Sequence, residues 1–263
     1  MAIGQSPLEK ERLSIRKLEE KLARAAAKEK SGGWKAELEK KIPAKVYAGL
    51  ESAFCKGFSM VFSRGRGVIE KSYKKEELLQ DHAIRDFAVQ LKGGKKELRQ
   101  MHKSAKRTDF RNLVATTAEG VGLGALGIAM ADNVLFLGTV LRGEYETALN
   151  YGFDYVSAWE QLLILKMLAA SLSSGEAWAS LNREVEQMLA ADQCAVTEEE
   201  LQAQMRETAS VFALDMLLLK FIQGLPVVGI IGGASNPVYY RKIMTYVQLK
   251  YRKRYLMNVS RER

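Results

Sequence analysis

The stretch Leu113–Leu141, LVATTAEGVGLGALGIAMADNVLFLGTVL, limits what this chain can fold into more than any other. It is apolar and rich in small residues, and it holds two carboxylates, Glu119 and Asp132. Its pattern reads as one helix, or as two joined at a glycine. Each of Gly120, Gly122, Gly124 and Gly127 costs a helix interior about 1 kcal/mol relative to Ala. Close approach of a neighbouring backbone is the usual compensation. Gly120 and Gly124 make a G-x-x-x-G spacing, and Gly127 and Ala131 continue the same face. Residues 122–127 also match G-x-G-x-x-G, but a dinucleotide site needs a preceding strand within a βαβ unit. Arg107–Thr117 does not read as a buried strand. Tight helix packing is the better reading.

A membrane span needs about 20 mainly apolar residues. The uninterrupted run Val121–Ala131 is shorter and is closed by Asp132-Asn133. The expectation is therefore a buried helix of a large helical domain, with shallow insertion into one leaflet left open.

The rest of the chain is a series of helical periodicities with punctuation between them. Ser6-Pro7 supplies an N-cap and a first-turn proline for a helix from Leu8 to Lys30, and Ser31-Gly32-Gly33 ends it. Residues 1–33 thus read as an arm and linker, either solvated or packed, and 34–263 as the main domain. Ala44–Ser63 has a broad apolar face, and Arg64-Gly65-Arg66-Gly67 reads as a turn with exposed arginines. In Lys75–Leu91 the residues Leu78, Leu79, Ala83, Phe87 and Leu91 form the apolar face. Ser157–Leu172 is apolar over much of its circumference and should be central. Thr197 and Glu200 form a capping box for a helix running to about Gln223. A second small-residue segment, Gly224–Pro237, precedes a last helix with Ile243, Val247, Tyr251 and Tyr255 on one face. No β pattern of any length is present. The fold class is all-α, a single multi-helix domain with two Gly-rich apolar helices at its centre.

Charge is unevenly placed. The chain carries 40 Lys+Arg against 31 Asp+Glu, a net +9. Residues 112–218 hold 15 acidic against 4 basic side chains, while 45–111 and 241–263 are strongly basic. Either the basic flanks pack beside the acidic middle, or they form a face toward an anionic surface. The candidates for such a face are Lys95, Lys96, Arg99, Lys103, Lys106 and Arg107, with Arg252, Lys253 and Arg254 in the tail. Nucleic acid is a weaker partner: a basic chain alone is poor evidence, and tail tyrosines at helical spacing are more often core. His82 and His102 have no ligand-type neighbours at metal spacing, so no metal is expected, and no cofactor. Cys55 and Cys194 lie far apart, and MAIGQSPLEKERL lacks a signal-peptide core; a reducing cytoplasm is the simple expectation. For catalysis the weak candidates are Glu119, Asp132 and Asp215, carboxylates in apolar surroundings where burial would raise their pKa values. For Asp132 and Asp215 the simpler role is pairing with Lys220 or Arg142, or accepting backbone hydrogen bonds at a helix break.

The chain resembles the EcsC family of bacterial proteins. The residues that carry this are the Gly-rich segment running into Ala131-Asp132-Asn133, then Ala148-Leu149-Asn150-Tyr151-Gly152-Phe153-Asp154. Gly224-Leu225-Pro226-Val227-Val228-Gly229 through Gly232-Gly233-Ala234-Ser235-Asn236, ahead of a basic tail, complete the set. The resemblance spans about residues 40–255 and leaves Ala2–Lys30 outside. It implies a cytoplasmic or loosely membrane-associated protein of a family named for a gene beside an ABC-transporter operon. It carries over no catalytic residues. The resulting expectation is a peripheral protein on the inner face of the membrane, meeting anionic lipid or a membrane transporter. The alternative is a hydrolase-type enzyme using carboxylates around Asp132.

Overall fold

The computed structural model describes residues 6–30, 42–118, 132–222 and 236–261. Among them every regular element is helical. The elements are α1 (Pro7–Lys30), α2 (Ala44–Met60), α3 (Arg66–Lys71), α4 (Lys75–Lys92), α5 (Lys95–Ala118), α6 (Asp132–Asn150), α7 (Ala158–Leu172), α8 (Gly175–Ala190), α9 (Glu198–Ile222) and α10 (Asn236–Arg261). The expected Gly-rich central helices fall largely on residues 119–131 and 223–235, outside the described residues, as does the Ser31-Gly32-Gly33 linker.

Local chemistry sets the ends. At α1 the Ser6 N–H donates to Glu9 Oε2 at 2.7 Å and Glu9 N–H donates to Ser6 Oγ at 3.2 Å, a reciprocal cap ahead of Pro7. Thr197 and Glu200 do the same for α9, at 2.8 and 3.2 Å. Ser157 Oγ accepts from Glu160 N–H at the start of α7. Gly93, at φ +56°, ends α4 in the left-handed conformation and lets α5 turn back against it. One expected turn is absent. Val61–Gly65 is a π-helical segment leading directly into α3, and the helix breaks only at Ser72. The wider π turn absorbs an extra residue without leaving the helix.

The core lies where α6, α7 and α10 meet. α7 is buried on most sides, as its composition requires. α10 buries Tyr239, Tyr240, Ile243, Tyr246, Val247, Tyr251 and Tyr255, so its tyrosines are core rather than base-stacking platforms. α2 packs on α9 beside them, with Phe54 and Phe58 meeting Phe212 at 5.4 and 5.5 Å between centroids. α8 covers α7, and α1 lies across α8 and α10 with Ile15 and Ala26 buried. Of the two roles open to α1, the structure shows the packed one.

The α4–α5 hairpin packs on α6. Here the structure corrects the sequence reading of α4. Its inward residues are Leu78, His82, Arg85 and Val89. His82 lies over Gly152, where φ is +81° and an added Cβ would sit 2.2 Å from His82 Nε2. His82 Nδ1 is 3.1 Å from the Asn150 carbonyl at the end of α6. Phe87 and Leu91 point outward instead.

Candidate functional surface and the buried carboxylates

The candidate acids are not assembled into a site among the described residues. Glu119 lies outside them. Asp132 opens α6, and its side chain is outside the description. Asp215 is partly buried on α9, 3.8 Å from Lys242 Nζ, and its backbone carbonyl accepts from Tyr239 OH at 2.8 Å. Lys242 is thus a cation beside Asp215, and the Lys220 side chain lies outside the described residues. Arg142 donates to Glu146 one turn along α6, at 3.1 Å.

The most deeply buried carboxylates are ones that sequence reasoning passed over. Glu160, in the first turn of α7, accepts from two side chains of α10. Arg254 Nη1 reaches its two oxygens at 2.9 and 2.8 Å, and Tyr251 OH donates at 2.8 Å. The Arg254 guanidinium lies 3.9 Å from the Phe153 ring centroid and 4.9 Å from that of Trp159. Burial still pushes the Glu160 carboxyl upward, with Arg254 opposing it. Glu144, on α6, is fully buried, and neither oxygen has a hydrogen-bond partner among the described residues. Desolvation alone drives its pKa well above the usual carboxylate range. Nearby, Tyr73 OH donates to Tyr155 OH at 2.6 Å and Tyr155 OH donates to Glu70 at 2.9 Å. His102, 3.1 Å from Tyr151 OH through Nδ1, is lowered to about 4 by burial and by the charges of Arg252 and Lys106. No group of three His, Cys, Asp or Glu suited to a metal occurs among the described residues.

The two basic segments have opposite fates. On α10 the cations from Lys250 to Arg254 are neutralised from within. Arg252 Nε donates to Glu11 of α1 at 2.8 Å, and its Nη2 is 3.3 Å from Ser14 Oγ. Lys250, itself buried, pairs with Glu186 and, at 3.2 Å, with Glu19. Lys253 meets the same two carboxylates, Glu186 at 2.6 Å and Glu19 at 2.8 Å. Glu186 is pushed up by burial, but the two ammonium groups outweigh that and hold it below the usual range. Arg252, Lys253 and Arg254, expected to face an external anionic surface, thus pair here with carboxylates of this chain. They lie on α10, a helix packed on nearly all sides, where a charge must find a partner.

On α5 the arrangement is reversed. Leu98, Met101 and Ala105 are buried against α6, while Lys95, Lys96, Arg99, Lys103 and Lys106 are exposed. None of these five forms an ion pair among the described residues. The Arg107 side chain lies outside the description. No helix among the described residues is long and apolar enough to cross a membrane.

The model of the EcsC protein family matches residues 9–256. The chain belongs to the EcsC family. The EcsC match begins within α1 and ends within α10, so it takes in the N-terminal helix that the resemblance drawn from internal motifs left out. The Glu11–Arg252 pair joins the two ends of the EcsC region directly. No curated protein and no solved structure matches the chain.

Proposed function

We propose that this EcsC-family protein associates peripherally with anionic membrane surfaces, such as the inner face of the cell membrane, through the exposed face of α5. One contrast carries the reading: Lys250, Arg252, Lys253 and Arg254 of α10 are consumed by internal carboxylates, whereas Lys95, Lys96, Arg99, Lys103 and Lys106 stand exposed and unpaired on one helix. Each Lys or Arg near an anionic leaflet contributes about 1 kcal/mol, falling off within a Debye length of roughly 8–10 Å. Five on one face suffice for reversible binding. The test is co-sedimentation of the full chain with vesicles of phosphatidylcholine alone and with 30 mol % phosphatidylserine. The expected result is binding to the anionic vesicles only, weakening as salt rises. Equal sedimentation with both vesicle types, or with neither, contradicts the proposal.

A further inference from the structure

The outward face of α4 carries the three most exposed large apolar side chains among the described residues. Ile84, Phe87 and Leu91 are 69, 66 and 69% exposed, against about 40% or less for the next group. Their spacing of three and four places them on one stripe of the helix. Soluble proteins seldom leave such a row uncovered, and a row of this kind rimmed by polar groups marks a docking surface.

The rim shows what docks. Leu91 sits at the end of α4, beside Lys92, and the chain reverses at Gly93 into Lys95 and Lys96. From residue 84 to residue 106 only two carboxylates occur, Asp86 and Glu97. Asp86 is engaged by Tyr255 OH at 2.7 Å and by Gln90, so its charge is tied into the packed side. The other acids of α4, Glu76, Glu77 and Asp81, lie toward its opposite end. An exposed apolar row and a row of unpaired cations therefore lie on two adjacent helices of one hairpin. A protein partner would meet the apolar row with apolar groups and the cations with carboxylates in fixed positions. An anionic bilayer meets both at once with no fixed register, since headgroups take the cations and the acyl boundary takes the apolar row.

We infer that the α4–α5 hairpin is a two-component membrane anchor, in which Ile84, Phe87 and Leu91 insert into the headgroup–acyl boundary while the α5 cations hold the headgroups. This rests on the membrane reading of α5 and adds an inserted element to it. Two weak signals acting together are what stable peripheral anchoring requires.

The experiment uses the full chain, the same phosphatidylserine vesicles, and two variants. One is Ile84→Ser/Phe87→Ser/Leu91→Ser, which changes only exposed side chains. The other is Phe87→Trp, read by quenching with bromine-labelled acyl chains. Insertion predicts that the triple variant sediments at low salt but binds about tenfold or more weakly at high salt, where wild-type binding persists; tenfold corresponds to about 1.4 kcal/mol. It also predicts that the tryptophan at 87 is quenched in bound protein. If wild type and triple variant bind alike at every salt, with no quenching, insertion is overturned and the ionic reading of α5 survives. If wild type binds no vesicle, both readings fall. Circular dichroism confirms that the triple variant is folded. Sedimentation velocity covers the alternative occupant: a wild-type dimer that becomes monomeric in the triple variant assigns the row to a second copy of the chain and overturns insertion.

Discussion

Replacing Glu144 removes a titrating group from the core and should change how stability depends on pH. The carboxyl is fully buried with no hydrogen-bond partner among the described residues, so it folds in its protonated form. In the unfolded chain it ionises near pH 4.3. Above that pH the folded protein holds a proton that the unfolded chain has released, so stability falls as pH rises, by about 1.4 kcal/mol per unit for this group. Glu144→Gln and Glu144→Met both abolish the slope. Met is close in shape and apolar; Gln keeps polarity and leaves an amide without partners, at a pH-independent cost of about 1–3 kcal/mol. Absolute stabilities will thus differ, but the slopes should not. From pH 5 upward the stability of each variant relative to wild type should rise with pH for as long as the wild-type carboxyl keeps its proton. Urea unfolding at pH 5, 6 and 7 measures it, with Trp159 as a buried fluorescence reporter. The other shifted acids and histidines, Glu160, Glu186, Glu200, His82 and His102, remain in all three proteins and cancel in the comparison. Parallel curves for wild type and both variants would refute the reasoning, since they would mean that Glu144 ionises normally in the folded state.

Other perturbations have defined signs. His102 has its folded pKa lowered, so the unfolded chain binds the proton first and stability is lost as pH falls from about 6.5 toward about 4; His102→Gln should flatten that acid limb in the same urea titration. Glu160→Gln leaves the Arg254 guanidinium buried without its counter-charge and should cost about 3–5 kcal/mol, read as a fall in thermal midpoint. Gly152→Ala should destabilise by more than about 1 kcal/mol by calorimetry, because its positive φ strains any Cβ-bearing residue and the Cβ also runs into His82.

What could be read from the sequence was local. Ser6 with Pro7, and Thr197 with Glu200, fix helix starts through groups three residues apart, and the structure places these caps as expected. The central position of α7 followed from its nearly all-apolar circumference. Sidedness was harder. On α4 the inward set 78, 82, 85 and 89 and the outward set 84, 87 and 91 both have helical spacing, and the inward set includes a His and an Arg, so hydrophobicity pointed to the wrong face. The Arg252-Lys253-Arg254 run read as surface because its partners, Glu11, Glu19, Glu160 and Glu186, are far away in sequence. A signal for Glu160 was present: a carboxylate in the first turn of a helix expected to be central requires a cation from elsewhere in the chain. Glu144, flanked by Leu141, Tyr145 and Ala148, carried the same signal.

The central claim is that the two basic segments differ in kind, α5 facing an anionic surface and α10 holding the fold. The measurement that separates them most directly is the vesicle dissociation constant, at fixed low salt, of Lys95→Gln/Arg99→Gln/Lys103→Gln beside that of Lys253→Gln. At about 1 kcal/mol per cation, the α5 variant should bind phosphatidylserine vesicles about a hundredfold more weakly with an unchanged thermal midpoint. Lys253→Gln should lower the midpoint and leave binding by the folded protein unchanged. Normal binding by the α5 variant, or a large binding loss in folded Lys253→Gln, would contradict the account.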